Sequence, residues 1–532
     1  MPIFVSYCTW KFKNPNVVLF QLIQLSSIHS FMQNFYIFLV LTILLPVQGS
    51  AQDCLSYFHY SKDEISQAKL CPEAMKADIE QLHEHILTTH PNPSLYCGVE
   101  AFVNGYKRAL VSCSSEKTMI EFIQIVTTYL AVMKDSHTNL NPRDYLYLGP
   151  KDRAVLPFFV VRIDGKFYLE SIYKNDLAIG SEILQIDSYP MDSLFTVSKT
   201  LSFTEGNAHL AQEEIAERMI GATFNLLHRA NVTDVAMFKV VDLNGDTLVQ
   251  KAHYVKSAQY LKDRSIQLHG PIQYFIDKDK RCVLTIESFD PISLRKFKKQ
   301  IDACFSEIRK QNVQELYVDL RDNLGGMLRA QEYVLSYLNL SGGPLQMNYL
   351  YKRSRFDRFA SLPFYQEWQF MNRAERVYPN GLISQEYDFY KSPLGTTRTI
   401  LYDYTPQNHL GYIYRGKCTL ITNGSSMSAS VLFAGWFKNE KRGEIIGTQC
   451  MGGIGGTFGN SAAYTLEHSN THLMVSTLKF TPKDRVRIEL NAIDPDHVIQ
   501  INRQQLIQHK DPVLEYLNIK KESKKKIKKN ND

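Results

Sequence analysis

Apolar positions fall into three regimes along the chain, and each predicts a different kind of element. In the first, from about Asp53 to Pro150, they recur at helical spacing. "MKADIEQLHEHILTTHP" puts Ile79, Leu82 and Ile86 on one face and then meets Pro91, which stops a helix. "TMIEFIQIVTTYLAVMKDSHT" opens on a capping box, Thr118 with Glu121 three residues on. It continues with Met119, Phe122, Ile123, Val126, Leu130 and Met133 along one stripe. His83, His85 and His90 lie here without the HExxH spacing of a zinc site, and are expected as solvent-facing helix histidines.

From about Ala154 to Val255 the pattern shortens. "FFVVRIDGKFYLESIY" reads as strand, turn, strand, and "NDLAIGSEILQIDSYPMDSL" as a strand between two turns. From about Gly270 strands and helical stripes alternate. "RCVLTIESF" is a strand, and Leu294, Phe297, Ile301, Cys304, Phe305 and Ile308 form a helix stripe. "ELYVDL" is a strand that ends at "RDNLGG", Arg321 to Gly326, before a helix around Gln331 to Leu338. "EIIGT" and "HLMVSTLKF" each read as one strand, flanking a glycine-rich loop from Gly452 to Gly459. That loop lacks the Lys-Ser/Thr of a phosphate-binding loop and the spacing of a dinucleotide site, which leaves a tight turn beside a site. The stretch from about Asn339 to Gln407 is rich in Tyr, Phe and Arg and fits either an insertion over a site or ordinary surface. Repeated strand–helix units argue an α/β protein.

At 532 residues, two or three domains are expected. The patterns divide the chain into a signal region over 1–51, an N-terminal helical region over 52–150, a β-rich module over 151–260, a core over 261–519 and a basic disordered tail over 520–532. The net charge of +6 suggests nucleic acid until it is located. The tail has seven Lys against one Glu and one Asp, and the first 51 residues have two Lys and no acid, leaving −1 for the rest. No nucleic-acid partner is expected. "FYIFLVLTILLPVQGSAQ", Phe35 to Gln52, reads as a signal-peptide apolar region with a cut near Ala51, the alternative being a membrane anchor. Translation is expected to start at Met32, and no stable membrane span is expected after cleavage. Export permits disulfides, and Cys54, Cys71, Cys97 and Cys113 could pair.

The chemistry concentrates in "CTLITNGSSMSASVLFAGWF", a strand, a Ser/Gly-rich turn and a helix. Such an elbow can be plain helix capping, or it can expose a serine to a base and aim helix N-terminal amides at an oxyanion. "LYVDLRDNLGG", then "ITNGSSMSASVLFAGWF", then "EIIGTQCMGG", resembles in order the C-terminal-processing, or tail-specific, serine protease family. "HPNPSLY" and "MKDSHTNL" resemble its helical region, and the strand-rich middle its PDZ-like module. The resemblance spans about Met75 to Val498.

It implies a ClpP/crotonase-like layered α/β core, no cofactor, no metal, and peptides or unfolded chains as substrates. It puts the nucleophile at Ser428 and the oxyanion amides at Ala429 and at Gly325 or Gly326. The lysine base of the best-known branch does not carry over, since Gly453 stands in its place and no Lys lies between Lys441 and Lys479. The resemblance to the tricorn-like branch instead implies His137 as general base, with Ser136 and Glu489 supporting it. Asp319 and Arg321 are expected to fix a strand end. A non-catalytic protein binding peptides or hydrophobic ligands on the same scaffold is the alternative.

Overall fold

The computed structural model describes residues 69–140, 153–228, 230, 232–266, 272–354, 392–483 and 490–519. The signal region, Glu489 and the basic tail lie outside these residues. The helical opening consists of α1 (Pro72–Thr89), α2 (Val99–Ser112) and α3 (Met119–Ala131). The stripe read from the sequence is the buried one: Ile79, Leu82 and Ile86 of α1 pack with Phe122, Ile123, Val126 and Leu130 of α3. Thr118 and Glu121 form both bonds of the capping box. The chain then passes "DSHT" into a short strand, β1 (Asn139–Leu140). Cys71 is disulfide-bonded, while Cys97 and Cys113 are free thiols.

The middle region forms one antiparallel sheet. Its strands are β2 (Phe158–Ile163), β3 (Lys166–Ile172) and β4 (Glu182–Ile186), followed by the helices α4 (Met191–Thr200) and α5 (His209–Leu227), then β5 (Val235–Val241) and β6 (Thr247–His253). The order across the sheet is β6-β5-β4-β3-β2. The strand reading of this region missed α5. Its buried positions are largely small residues, with Ala211, Ala216 and Gly221 beside Ile220 and Phe224, so no bulky stripe betrays it. Gly221 is needed there: a Cβ would fall 2.3 Å from the Phe158 carbonyl oxygen of β2.

The core begins with β7 (Ile272–Ile276), β8 (Arg281–Ile286), α6 (Leu294–Lys310), β9 (Glu315–Asp319) and α7 (Leu328–Leu338). A hairpin follows, β10 (Leu345–Lys352) with β11 (Thr397–Tyr404), flanking residues 355–391, which are not described. The Tyr-rich stretch thus contributes two paired strands. Next come β12 (Lys417–Thr422), α8 (Ala429–Asn439) and β13 (Glu444–Gly447), then β14 (Thr457–Gly459), β15 (Ala462–Thr465), β16 (His472–Val475), β17 (Leu478–Pro482) and β18 (His497–Val498).

The central sheet runs β7-β8-β9-β12-β13-β18, parallel from β8 onward. Both faces are covered, so the middles of β8, β9, β12 and β13 carry apolar side chains on both sides, with polar residues mainly at the strand ends. Leu284, Val318 and Leu420 meet the helix layer, where Phe297, Ile301, Phe305 and Ile308 of α6 are buried. Burial of each such side chain contributes about 1.5–3 kcal/mol. Val283, Tyr317 and Ile421 meet the C-terminal segment through Val513 and Ile519. This is a layered α/β fold with a separate β-rich module. Among the described residues no helix is long and apolar enough to cross a membrane.

Two expectations change. "HLMVSTLKF" is two strands in different sheets, β16 beside β1 and β17 beside β10. The break falls at Ser476 and Thr477, where buried side-chain bonds take precedence over the ladder. His83 and His85 are half-buried against Tyr129 and Tyr464, and His90 is also not a solvent-facing histidine. It is fully buried and bonded to Asp135.

Candidate active site

Strands β8, β9 and β12 end in register, with Thr285 opposite Asp319 and Asp319 opposite Ile421. Their carboxyl ends therefore open at one edge, where open parallel sheets bind ligands. The loops after β9 and β12 are laced there by backbone. Met427 N donates to Asn323 O at 3.1 Å, and Ser430 Oγ donates to the same oxygen at 2.9 Å. Ser426 Oγ donates to Leu320 O at 2.8 Å. The Asn323 side chain donates to Ile286 O, which adds the end of β8.

Ser428 precedes α8 with φ 58° and ψ −117°. A non-glycine residue held there costs on the order of 1–3 kcal/mol. Its hydroxyl makes no capping bond and has no hydrogen-bond partner among the described residues, whereas those of Ser426 and Ser430 are spent on carbonyls. Gly325, at φ 92°, lies against it: a Cβ there would sit 2.6 Å from Ser428 Cβ and 2.8 Å from Ala429 N.

The two glycines of the pair differ. Gly325 N donates to Asn323 Oδ1 at 2.8 Å, so the expectation that it serves an oxyanion is corrected. Gly326 N and Ala429 N have no acceptor among the described residues. Two unengaged amides beside a half-buried hydroxyl are the parts of an oxyanion site. Asp319 and Arg321 are structural in their contacts, with Arg321 also paired to Asp511 at 2.7 Å.

His137 is reached from the turn after α3. Asp135, fully buried, accepts from His137 N at 2.8 Å, His90 Nε2 at 3.0 Å, Thr138 Oγ1 at 2.6 Å and Ser476 Oγ at 2.7 Å. Burial alone would raise the Asp135 carboxyl. The hydrogen bond from His90, the histidines at 90 and 137 and the Thr138 hydroxyl outweigh it and hold the group well below the usual carboxylate range. His137 Nδ1 lies 3.2 Å from Ser136 Oγ, and Ser136 Oγ donates to Glu205 Oε2 at 3.0 Å.

Glu205, in the loop before α5, is foreshadowed by no motif, since an isolated acid in a polar loop carries no periodic signal. It is fully buried and also accepts from Thr457 Oγ1 at 3.1 Å, Phe458 N at 2.9 Å and Tyr96 Oη at 3.3 Å. Lys479, also buried, has its ammonium 3.8 Å from Glu205 Oε1 and hydrogen-bonded to Tyr96. Burial pushes the lysine down to about 8, against the pull of Glu205 and Asp135. The structure records no contact of Lys479 with Ser428.

Helix α5 touches the nucleophile side as well. Glu214 accepts from Gly424 N and Thr448 Oγ1, and Arg218 pairs with Asp322. Among the described residues no hydrogen bond joins Ser428 Oγ to His137; the ring's recorded side-chain partner is Ser136 Oγ.

Asp135, His137 and Glu205 come close enough together to be tested as a metal trio. The donors already on them argue otherwise. Every oxygen of the two carboxylates accepts at least one hydrogen bond, and the Lys479 cation stands where a metal's charge would be repelled.

A strained serine at a strand-to-helix elbow, beside two amides without acceptors among the described residues, is the arrangement a serine-type peptidase needs for its nucleophile. Residues 280–499 match the sequence model of peptidase family S41, a stretch that contains Ser428, Gly326 and Ala429. No curated protein matches the chain. Among the solved structures similar in fold are three of CPAF. A mutant of CPAF gives a TM-score of 0.62 at 15% identity, over 84% of this chain and 96% of that one. Mature CPAF gives 0.56 at 15% identity, over 84% and 96%. Mature CPAF complexed with lactacystin gives 0.57 at 15% identity, over 84% and 97%.

Proposed function

We propose that the chain is an exported serine endopeptidase that hydrolyses peptides or unfolded protein chains, with Ser428 as nucleophile and His137 as general base. The observation that carries this is the Ser428 elbow: a left-handed serine whose hydroxyl is not spent on capping, next to the unengaged amides of Gly326 and Ala429. Attack of Ser428 Oγ on a peptide carbonyl would put the developing negative charge between those amides. His137 would take the proton and return it to the leaving amine. An extended substrate backbone would lie as an added strand beside Ser428. The export reading rests on the apolar segment Phe35 to Gln52.

A fluorophosphonate label tests the assignment. Wild-type protein should be labelled, Ser428→Ala should not, and His137→Ala should be slowed by about 10²–10⁴-fold, the usual worth of a general base. Labelling that persists in Ser428→Ala would remove the nucleophile. A wild-type protein that binds peptide but never reacts would favour the non-catalytic alternative.

A further inference from the structure

We propose that Glu205 is the acid that sets the tautomer of His137, acting through the Ser136 hydroxyl. This rests on the reading of His137 as the base and adds to it a residue from a different part of the chain than the late acid expected there.

The argument is one of proton counting. Ser136 Oγ has a single proton and two lone pairs. It lies 3.0 Å from Glu205 Oε2 and 3.2 Å from His137 Nδ1. An ionised carboxylate can only accept, so the serine proton points to Glu205. The serine oxygen must then accept from His137, which puts the ring proton on Nδ1. Nε2 keeps its lone pair, the one a general base needs. The direct approach of Nδ1 to Glu205 Oε2, at 3.8 Å, is too long for a hydrogen bond, so the serine is the link.

The surroundings keep Glu205 in place. From β14, Thr457 Oγ1 donates to its Oε2 and Phe458 N to its Oε1, Tyr96 and Lys479 also meet Oε1, and Gly206 N ties the same loop to Lys134 O at 2.9 Å. No part of this relay comes from the nucleophile's own sheet. The charged and titratable groups facing the His137 ring are Asp135, Glu205 and, behind them, Lys479, His90 and Tyr96.

Glu205→Gln reverses the chain without changing its shape. The amide can donate to Ser136, Ser136 can then donate to Nδ1, and the ring proton moves to Nε2. The test is nitrogen-15 NMR on protein labelled at histidine, with His137 assigned by His137→Gln, run beside fluorophosphonate labelling. The wild type should show Nδ1 protonated and Nε2 bare. Glu205→Gln should show the reverse and label at least about 100-fold more slowly.

Glu205→Asp should restore the wild-type tautomer in part. Glu205→Gln/Lys479→Met, which removes the stranded cation, guards against simple unfolding and should still show the reversed tautomer. An unchanged tautomer in a folded Glu205→Gln protein overturns the proposal, as does a reversal produced by Glu489→Gln in its place. The spectrum reads the proton whether or not the protein reacts, so failure of the label alone counts against the peptidase reading and not against Glu205.

Discussion

The nucleophile half and the base half of the site are built by different means. The nucleophile half sits on adjacent parallel strand ends and is joined mainly by backbone bonds: Met427 to Asn323, Ser426 to Leu320, Gly325 against Ser428. The base half is joined by side chains. Asp135, His90, Thr138, Ser476, Ser136, Glu205, Tyr96 and Lys479 meet in a buried polar cluster drawn from four separate segments. Backbone lacing tolerates side-chain change and is sensitive to added bulk. A buried side-chain network has the opposite sensitivities, since each deletion strands its partners. Substitutions should expose that contrast.

The largest stability effect is expected from Asp135→Ala. It leaves His90, Thr138, Ser476 and the His137 amide without their acceptor in the interior. Breaking a buried charged group of this kind costs about 3–5 kcal/mol, measurable as a fall in the denaturant midpoint at constant slope. A cost no greater than that of an exposed substitution would sink the contrast.

Next is the pH dependence of Lys479. Its folded value of about 8 lies below the ordinary 10.5, so the unfolded chain binds more protons between those limits. The charged group therefore destabilises the fold in full below about pH 8, and the penalty disappears as pH rises toward 10.5. The swing is on the order of 3 kcal/mol. Wild-type stability relative to Lys479→Met should rise across that window. Parallel curves for the two proteins would place the ammonium in a wetter environment.

Gly325→Ala probes the nucleophile half. Its Cβ would overlap Ser428 Cβ and the Met427 carbonyl, at a φ that alanine resists. Displacing the serine by about an ångström should slow labelling on the order of 100-fold. Labelling at the wild-type rate would show that the loop yields freely. The smallest effect is expected from Ser428→Gly, which removes strain along with the hydroxyl. It should be about 1 kcal/mol more stable than Ser428→Ala by thermal or chemical unfolding, and equally unlabelled.

The same contrast explains what could be read in advance. The strands and stripes of the core were legible because periodicity records burial of one face, and Leu316, Val318, Phe297 and Ile301 are buried as their spacing demands. The Ser428 elbow was legible because its small residues are contiguous. Helix α5 was not, because Ala211, Ala216 and Gly221 interrupt the bulky residues on its buried side. Which glycine amide faces outward was undecidable in "LGG", since that depends on Asn323 folding back onto Gly325.

By itself the sequence determined the alternation of elements, the serine-bearing turn and the presence of His137 next to Ser136. Only the tertiary structure decided that Glu205 stands behind that pair and that His90 and Lys479 are buried with it. The physical reason is range. Helical and strand patterns are local consequences of 3.6- and 2-residue repeats. A buried polar network is a set of contacts between residues such as Tyr96, Asp135, Glu205 and Lys479, whose separation along the chain carries no repeat to read.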